Sequence, residues 1–103
     1  MKSQEGLLKD RIKKHLDSIG AYRYMPVPYG YGKQSLDFLI CVRGRFLGVE
    51  TKAPGKKPTR RQELCIEEIR AAGGVAFWTD SYAGYVAMMQ KHGLIGNPDD
   101  VLP

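Results

Sequence analysis

This chain lacks the long hydrophobic run that would carry it across a membrane. No stretch of 18 apolar residues occurs in its 103 residues, and about 20 are needed to span a bilayer. Its opening, MKSQEGLLKDRIKKHL, has no apolar core of the kind a secretory signal needs, so a cytoplasmic location is expected. Cysteine is scarce. Cys41 and Cys65 show no metal-ligand spacing and are too few for a disulfide framework, so both are expected to be reduced, buried small hydrophobes. Internal repeats and low-complexity segments are missing as well. Acidic residues are the minority charge, 11 against 16 Lys and Arg, and the formal balance of +5 favours an anionic partner, with nucleic acid the leading candidate. What remains is an ordinary globular composition, 43% hydrophobic and 26% charged, enough for one domain with a modest core. Residues 1–95 are expected to form it, with 96–103 a short, Pro-bounded, acidic tail that frays.

The stretch SLDFLICVRGRFLGVETK, residues 35–52, organises the rest. Leu36 to Val42 and Phe46 to Thr51 read as two strands joined at Arg43-Gly44-Arg45. With Arg43 and Gly44 as a two-residue loop, Val42 pairs with Arg45, and counting outward sets Asp37 opposite Glu50. Side chains so opposed share a face with Cβ atoms ~5 Å apart, and like charges there repel. Lys52 falls on that same face, one pleat further on. The opposite face, Leu36, Phe38, Ile40, Val42, Leu47, Val49 and Thr51, reads as core. The acidic face carries Leu39, Cys41, Phe46 and Gly48 toward the turn, which predicts cover at the turn end and an open site at the other.

Around this hairpin the chain reads helix, strand, hairpin, helix, strand, helix. Ser3 caps a first helix to about Ser18, with Leu8, Ile12, Leu16 and Ile19 as its apolar stripe and Gly20 as its stop. Glu5 extends the stripe and either complements the helix N-terminus or reaches toward the acidic pair; His15 is expected to flank solvent. Ala21 to Val27 reads as a strand, followed by a Tyr/Gly loop in which Tyr29, Tyr31 and Lys33 are suited to stacking on bases and meeting phosphate. After the hairpin, Lys56, Lys57, Arg60 and Arg61 place four positive charges in six residues, suited to a phosphate backbone. Thr59-Arg-Arg-Gln62 fits a capping box, so Gln62 has two possible uses: the reciprocal cap, or a hydrogen bond into the acidic site. Val75 to Thr79 reads as a buried strand, and Asp80 or Ser81 caps a last helix to Lys91 that packs through Tyr85, Met88 and Met89.

Two carboxylates that repel become good ligands once a hard cation sits between them, and oxygen-only ligation points to Mg²⁺ or Mn²⁺. Such an ion activates water and orients a phosphodiester. Lys52 beside it would hold the attacking water or stabilise transition-state charge; the residues leave both open.

Asp37, then Glu50-Thr51-Lys52 after twelve intervening residues, then KKPTRRQ and the Gly-Gly before VAFW, together resemble the PD-(D/E)XK nuclease superfamily, and within it the stand-alone VRR-NUC domains of phage and bacteria. The resemblance runs from about Glu5 to Asp80. It implies an α/β, restriction-endonuclease-like αβββαβ core with a mixed central sheet flanked by helices. It implies Mg²⁺- or Mn²⁺-dependent endonuclease action on DNA, with no organic cofactor. Asp37, Glu50, the Thr51 carbonyl and Glu5 are then the metal set, with Asp37, Glu50, Lys52 and Gln62 catalytic. Likeness to Holliday junction resolvases implies a homodimer acting on branched or four-way junction DNA in a bacterial or phage-infected cell. Leu36 departs from the pattern, which has Pro before the first Asp. A non-catalytic DNA-binding module with a vestigial site is the alternative, but it gives no reason to set two acids where phosphate would bind.

Overall fold

The two-residue turn at Arg43-Gly44 sets the register of the sheet. Arg43 has φ 51° and Gly44 φ 77°, the positive pair a type I′ hairpin turn requires. In this computed structural model, which describes residues 1–27 and 34–96, the turn joins β2 (Phe38–Val42) to β3 (Arg45–Thr51). Val42 pairs with Arg45 and Phe38 with Val49, the register anticipated from the sequence; the pairing stops there, and Asp37 just beyond it meets Glu50 through its N–H. The Arg43 and Arg45 guanidinium groups hydrogen-bond the carbonyls of Leu94 and His92, tying the turn to the end of the last helix.

The full order is α1 (Gln4–Ser18), β1 (Tyr22–Tyr24), β2, β3, α2 (Arg60–Ala71), β4 (Val75–Thr79) and α3 (Tyr82–Lys91). This is the expected αβββαβ core with α3 added at its end. The sheet runs β1-β2-β3-β4. Its first two pairings are antiparallel and the third is parallel, because the α2 crossover brings β4 back in the direction of β3. β1 is shorter than the strand expected over 21–27: it pairs only with Leu39 to Cys41, and Pro26 beyond it has no N–H for a ladder.

Helices cover both faces of the sheet. Leu8, Ile12 and Leu16 of α1 and Tyr85 and Met89 of α3 pack on Phe38, Ile40, Val42, Leu47, Val49 and Phe77. On the other face, Ile66 of α2 packs with Leu36 and Ala76, flanked by Cys65 and Ile69. Gly48 permits that close approach, since a Cβ there would lie 2.7 Å from the Ile69 Cδ1 and 2.9 Å from the Leu36 Cδ1.

Four expectations change. Leu36 lies in the α2 cluster rather than with Phe38, because the chain bends at Asp37 before β2 begins. Cover on the acidic face runs the other way from expected: Phe46 and Cys41 near the turn are exposed, while Gly48 and Glu50 are buried, since α2 overlies the far half of β3. The cysteines are accordingly exposed (Cys41) and half-buried (Cys65). His15 is buried, 5% exposed, and its Nδ1 is 2.6 Å from the Tyr85 hydroxyl. It follows Ile12 by three residues, so helical periodicity turns it to the α3 side of the stripe.

Candidate active site

Asp37 and Glu50 meet just before β2 begins, where β3 runs on past the start of its partner strand. The Asp37 N–H donates to Glu50 Oε1 at 3.1 Å. Asp37 Oδ2 in turn accepts from the Thr51 N–H at 3.0 Å and the Thr51 hydroxyl at 2.6 Å. These bonds cross the two strand ends and hold both carboxyl groups in fixed orientations. Thr51 is fully buried, so its hydroxyl is committed to Asp37; a threonine between Glu50 and Lys52 is the one sequence signal that could have revealed this.

Glu50 is 4% exposed. Its Oε2 accepts from Gln62 Nε2 at 2.9 Å and faces Lys52 Nζ at 3.7 Å. Burial, and next to it the negative charge of Asp37, push its pKa up from 4.5 to about 7, although the Asp37 N–H, Lys52 and Lys9 pull the other way. Gln62 fills both of its anticipated uses together. Its Oε1 accepts from the Thr59 N–H at 2.9 Å while the Thr59 hydroxyl receives the Gln62 N–H, leaving the amide nitrogen for Glu50. The capping box thus starts α2 and points its third residue into the site. The Lys52 main chain is fixed from β4, its N–H donating to the Thr79 carbonyl at 2.9 Å.

Lys9 was not singled out by the sequence reading, and it belongs here. Its Nζ lies 3.6 Å from Glu5 Oε2 and 3.6 Å from Asp37 Oδ1, so Glu5 connects to the acidic pair through an ammonium. The detectable signal was the Glu5–Lys9 spacing of four on a helix face. A cleft of about 350 Å³ opens onto the pair between Lys9, Met25, Pro26 and Gln62. A separate apolar depression, about 410 Å³ and lined by Leu39, Phe46, Cys65 and Ile69, contains neither carboxylate.

The donor set suits a hard divalent ion. The pair offers two carboxylates, of which Glu50 must lose a proton to ligate, and among the described residues no third His, Cys, Asp or Glu side chain joins them in a metal-binding group. Mg²⁺ characteristically takes one or two carboxylates and keeps several waters, so Asp37 and Glu50 are the side chains that could hold one. Of the cationic residues expected to face nucleic acid, Lys56, Lys57, Arg60 and Arg61 are exposed, and Arg60 pairs with Glu67 at 3.6 Å. Tyr29, Tyr31 and Lys33 lie outside the described residues.

Three helices around a four-stranded mixed sheet make an α/β, restriction-endonuclease-like fold. Among solved structures, one described as "VRR_NUC domain" superposes on 88% of this chain and 98% of its own, with a TM-score of 0.73 and 24% sequence identity; the likeness is one of fold. No protein-family model matches the sequence, and no curated protein matches it. Among the described residues, no helix is long and apolar enough to cross a membrane.

Proposed function

We propose that the chain is a metal-dependent DNA endonuclease of the VRR-NUC kind, hydrolysing phosphodiester bonds. One observation carries the reading: two carboxylates held against each other by main-chain hydrogen bonds, one of them buried, with Lys52 Nζ 3.7 Å from Glu50. A purely structural cross-strand pair gains little from such an arrangement, since burying like charges costs more than a surface ion cluster returns. The nuclease-domain fold of its structural relative supports the same reading.

In this proposal Asp37, Glu50 and the Thr51 carbonyl hold Mg²⁺ or Mn²⁺. The ion supplies a Lewis acid that lowers the pKa of water and offsets charge on the scissile phosphate. Thr51 fixes Asp37, and Gln62 fixes Glu50 so that its Oε2 keeps one direction. Lys52 brings a positive charge to the point where the phosphoryl group becomes more negative. Glu5, linked to Asp37 through Lys9, completes the acidic environment at one remove. The DNA backbone is held by Lys56, Lys57, Arg60 and Arg61 and by the N-terminus of α2, and Tyr29, Tyr31 and Lys33 contact bases and phosphate. A homodimer acting on branched or four-way junction DNA follows from the need to cut two strands with one site per chain.

The test is cleavage of labelled linear, flapped and four-way junction DNA with Mg²⁺, Mn²⁺ or EDTA, by the parent and by Lys52→Ala. The expected result is metal-dependent cutting that falls by roughly 100-fold or more in Lys52→Ala, with Mn²⁺-induced thermal stabilisation retained there and lost in Asp37→Ala. DNA bound but never cut, with no effect of metal, would replace the nuclease by a binding module. Sedimentation of the parent with and without junction DNA tests the dimer.

A further inference from the structure

The loop that follows Lys52 is built rather than loose. Ala53-Pro54-Gly55-Lys56 closes a β-turn, the Lys56 N–H donating to the Ala53 carbonyl at 3.0 Å, and Gly55 takes φ +82°, as the third position of a type II turn with Pro before it requires. The Gly55 N–H points outward from that turn and donates to Asp80 Oδ2 at 3.1 Å. Among the described residues this is the hydrogen bond that the Asp80 side chain makes. The cap of α3 falls to Ser81, whose hydroxyl accepts from the Gly84 N–H, and among the described residues Asp80 forms no salt bridge. Its carboxylate is spent on one backbone N–H of the segment that carries Lys56 and Lys57.

We propose that Asp80 is a positioning residue for DNA binding: from the end of β4 it pins the Pro54-Gly55 turn, so that Lys56 and Lys57 are presented in a fixed arrangement beside Lys52. This rests on the reading of the chain as a DNA nuclease and extends it to a residue outside the acidic site. Two ties then fix the loop to the same end of the sheet, Lys52 N–H to the Thr79 carbonyl at 2.9 Å and Gly55 N–H to Asp80. A loop ordered before binding loses less conformational entropy when phosphate arrives.

The two possible roles of this carboxylate have opposite signs. As a charge alone, Asp80 repels phosphate, and removing it strengthens DNA binding. As a hydrogen-bond acceptor that orders the loop, its removal weakens binding, and an amide oxygen in its place keeps the bond while losing the charge.

The experiment measures affinity of the full chain for a labelled DNA duplex in EDTA over a range of salt, for the parent, Asp80→Ala and Asp80→Asn, with thermal melting as the control for folding. Asp80→Ala is expected to bind about tenfold more weakly, the scale of one charge-assisted hydrogen bond, and with a shallower salt dependence as lysine contacts are lost. Asp80→Asn is expected to bind at least as tightly as the parent. Amide exchange at Gly55 should accelerate in Asp80→Ala and stay slow in Asp80→Asn. Asp80→Ala binding as tightly as the parent, or Asp80→Asn as weakly as Asp80→Ala, overturns the proposal. A parent that binds no DNA overturns the functional reading, and the positioning role falls with it; normal Gly55 exchange behaviour would then locate the failure in that reading rather than in the hydrogen bond.

Discussion

Glu50 should make the metal-free protein less stable as pH rises. Its carboxyl has a pKa of about 7 in the folded chain against 4.5 when unperturbed, so between those values the folded state holds a proton that the unfolded state has released. Stability therefore falls as pH climbs through this window, and the loss is complete above pH 7. At 1.36 kcal/mol per pH unit the displacement amounts to about 3 kcal/mol, a large share of the ~5–15 kcal/mol that holds a small domain together. His15 and His92, whose pKa values are lowered by burial, work in the opposite direction, since their contribution to the folded state grows as pH rises toward 6.5 and levels off above it. The Glu50 contribution is therefore read as a difference between parent and Glu50→Gln. Urea unfolding in EDTA at pH 5, 6, 7 and 8 is the assay. The gap between the two proteins should move by about 2.5 kcal/mol in favour of the variant from pH 5 to pH 8, the rest of the displacement falling below pH 5. Mn²⁺ should stabilise the parent more at pH 8 than at pH 6, because its ligand must lose the proton first. A parent–variant gap that stays flat across this range would refute the reasoning, since Glu50 would then titrate as an ordinary surface acid.

Further outcomes are open to direct measurement. Replacing Lys56, Lys57, Arg60 and Arg61 together by Ala should weaken duplex binding and flatten its salt dependence; an unchanged slope would remove this loop from the interface. Gly48→Ala should cost ~1–3 kcal/mol in denaturant unfolding, the scale of overpacking, because its methyl group would sit 2.7 Å from the Ile69 Cδ1 and 2.9 Å from the Leu36 Cδ1; a neutral result would mean that these two side-chain ends swing aside without cost. His15→Gln should soften the loss of stability below pH 6.5, because the buried imidazole has an unpartnered Nε2 and is disfavoured in its charged form; an unchanged acid limb in urea unfolding would place that sensitivity elsewhere.

Local chemistry carried much of this protein in its sequence. Arg43-Gly44 specified a two-residue turn, and a two-residue turn specifies a register, so the opposition of Asp37 and Glu50 could be counted without any coordinates. The caps at Ser3 and Thr59 were equally legible, because a hydroxyl and an N–H two or three residues apart need nothing from the rest of the chain. Other features depended on which surfaces meet across the fold. Whether Gln62 served the cap or the site was decided by α2 crossing over β3, which let one side chain do both. The burial that raises the Glu50 pKa, the ammonium of Lys9 beside Asp37, the hydroxyl of Thr51 on Asp37 and the tie from Asp80 to Gly55 all join groups from separate elements. Periodicity says which face a side chain takes, but not what that face meets, and His15, Leu36 and Cys41 were misread for that reason. The sequence alone determined the hairpin and its pair of acids; tertiary packing decided how deeply they are buried and which neighbours hold them, because desolvation and charge act through space rather than along the chain.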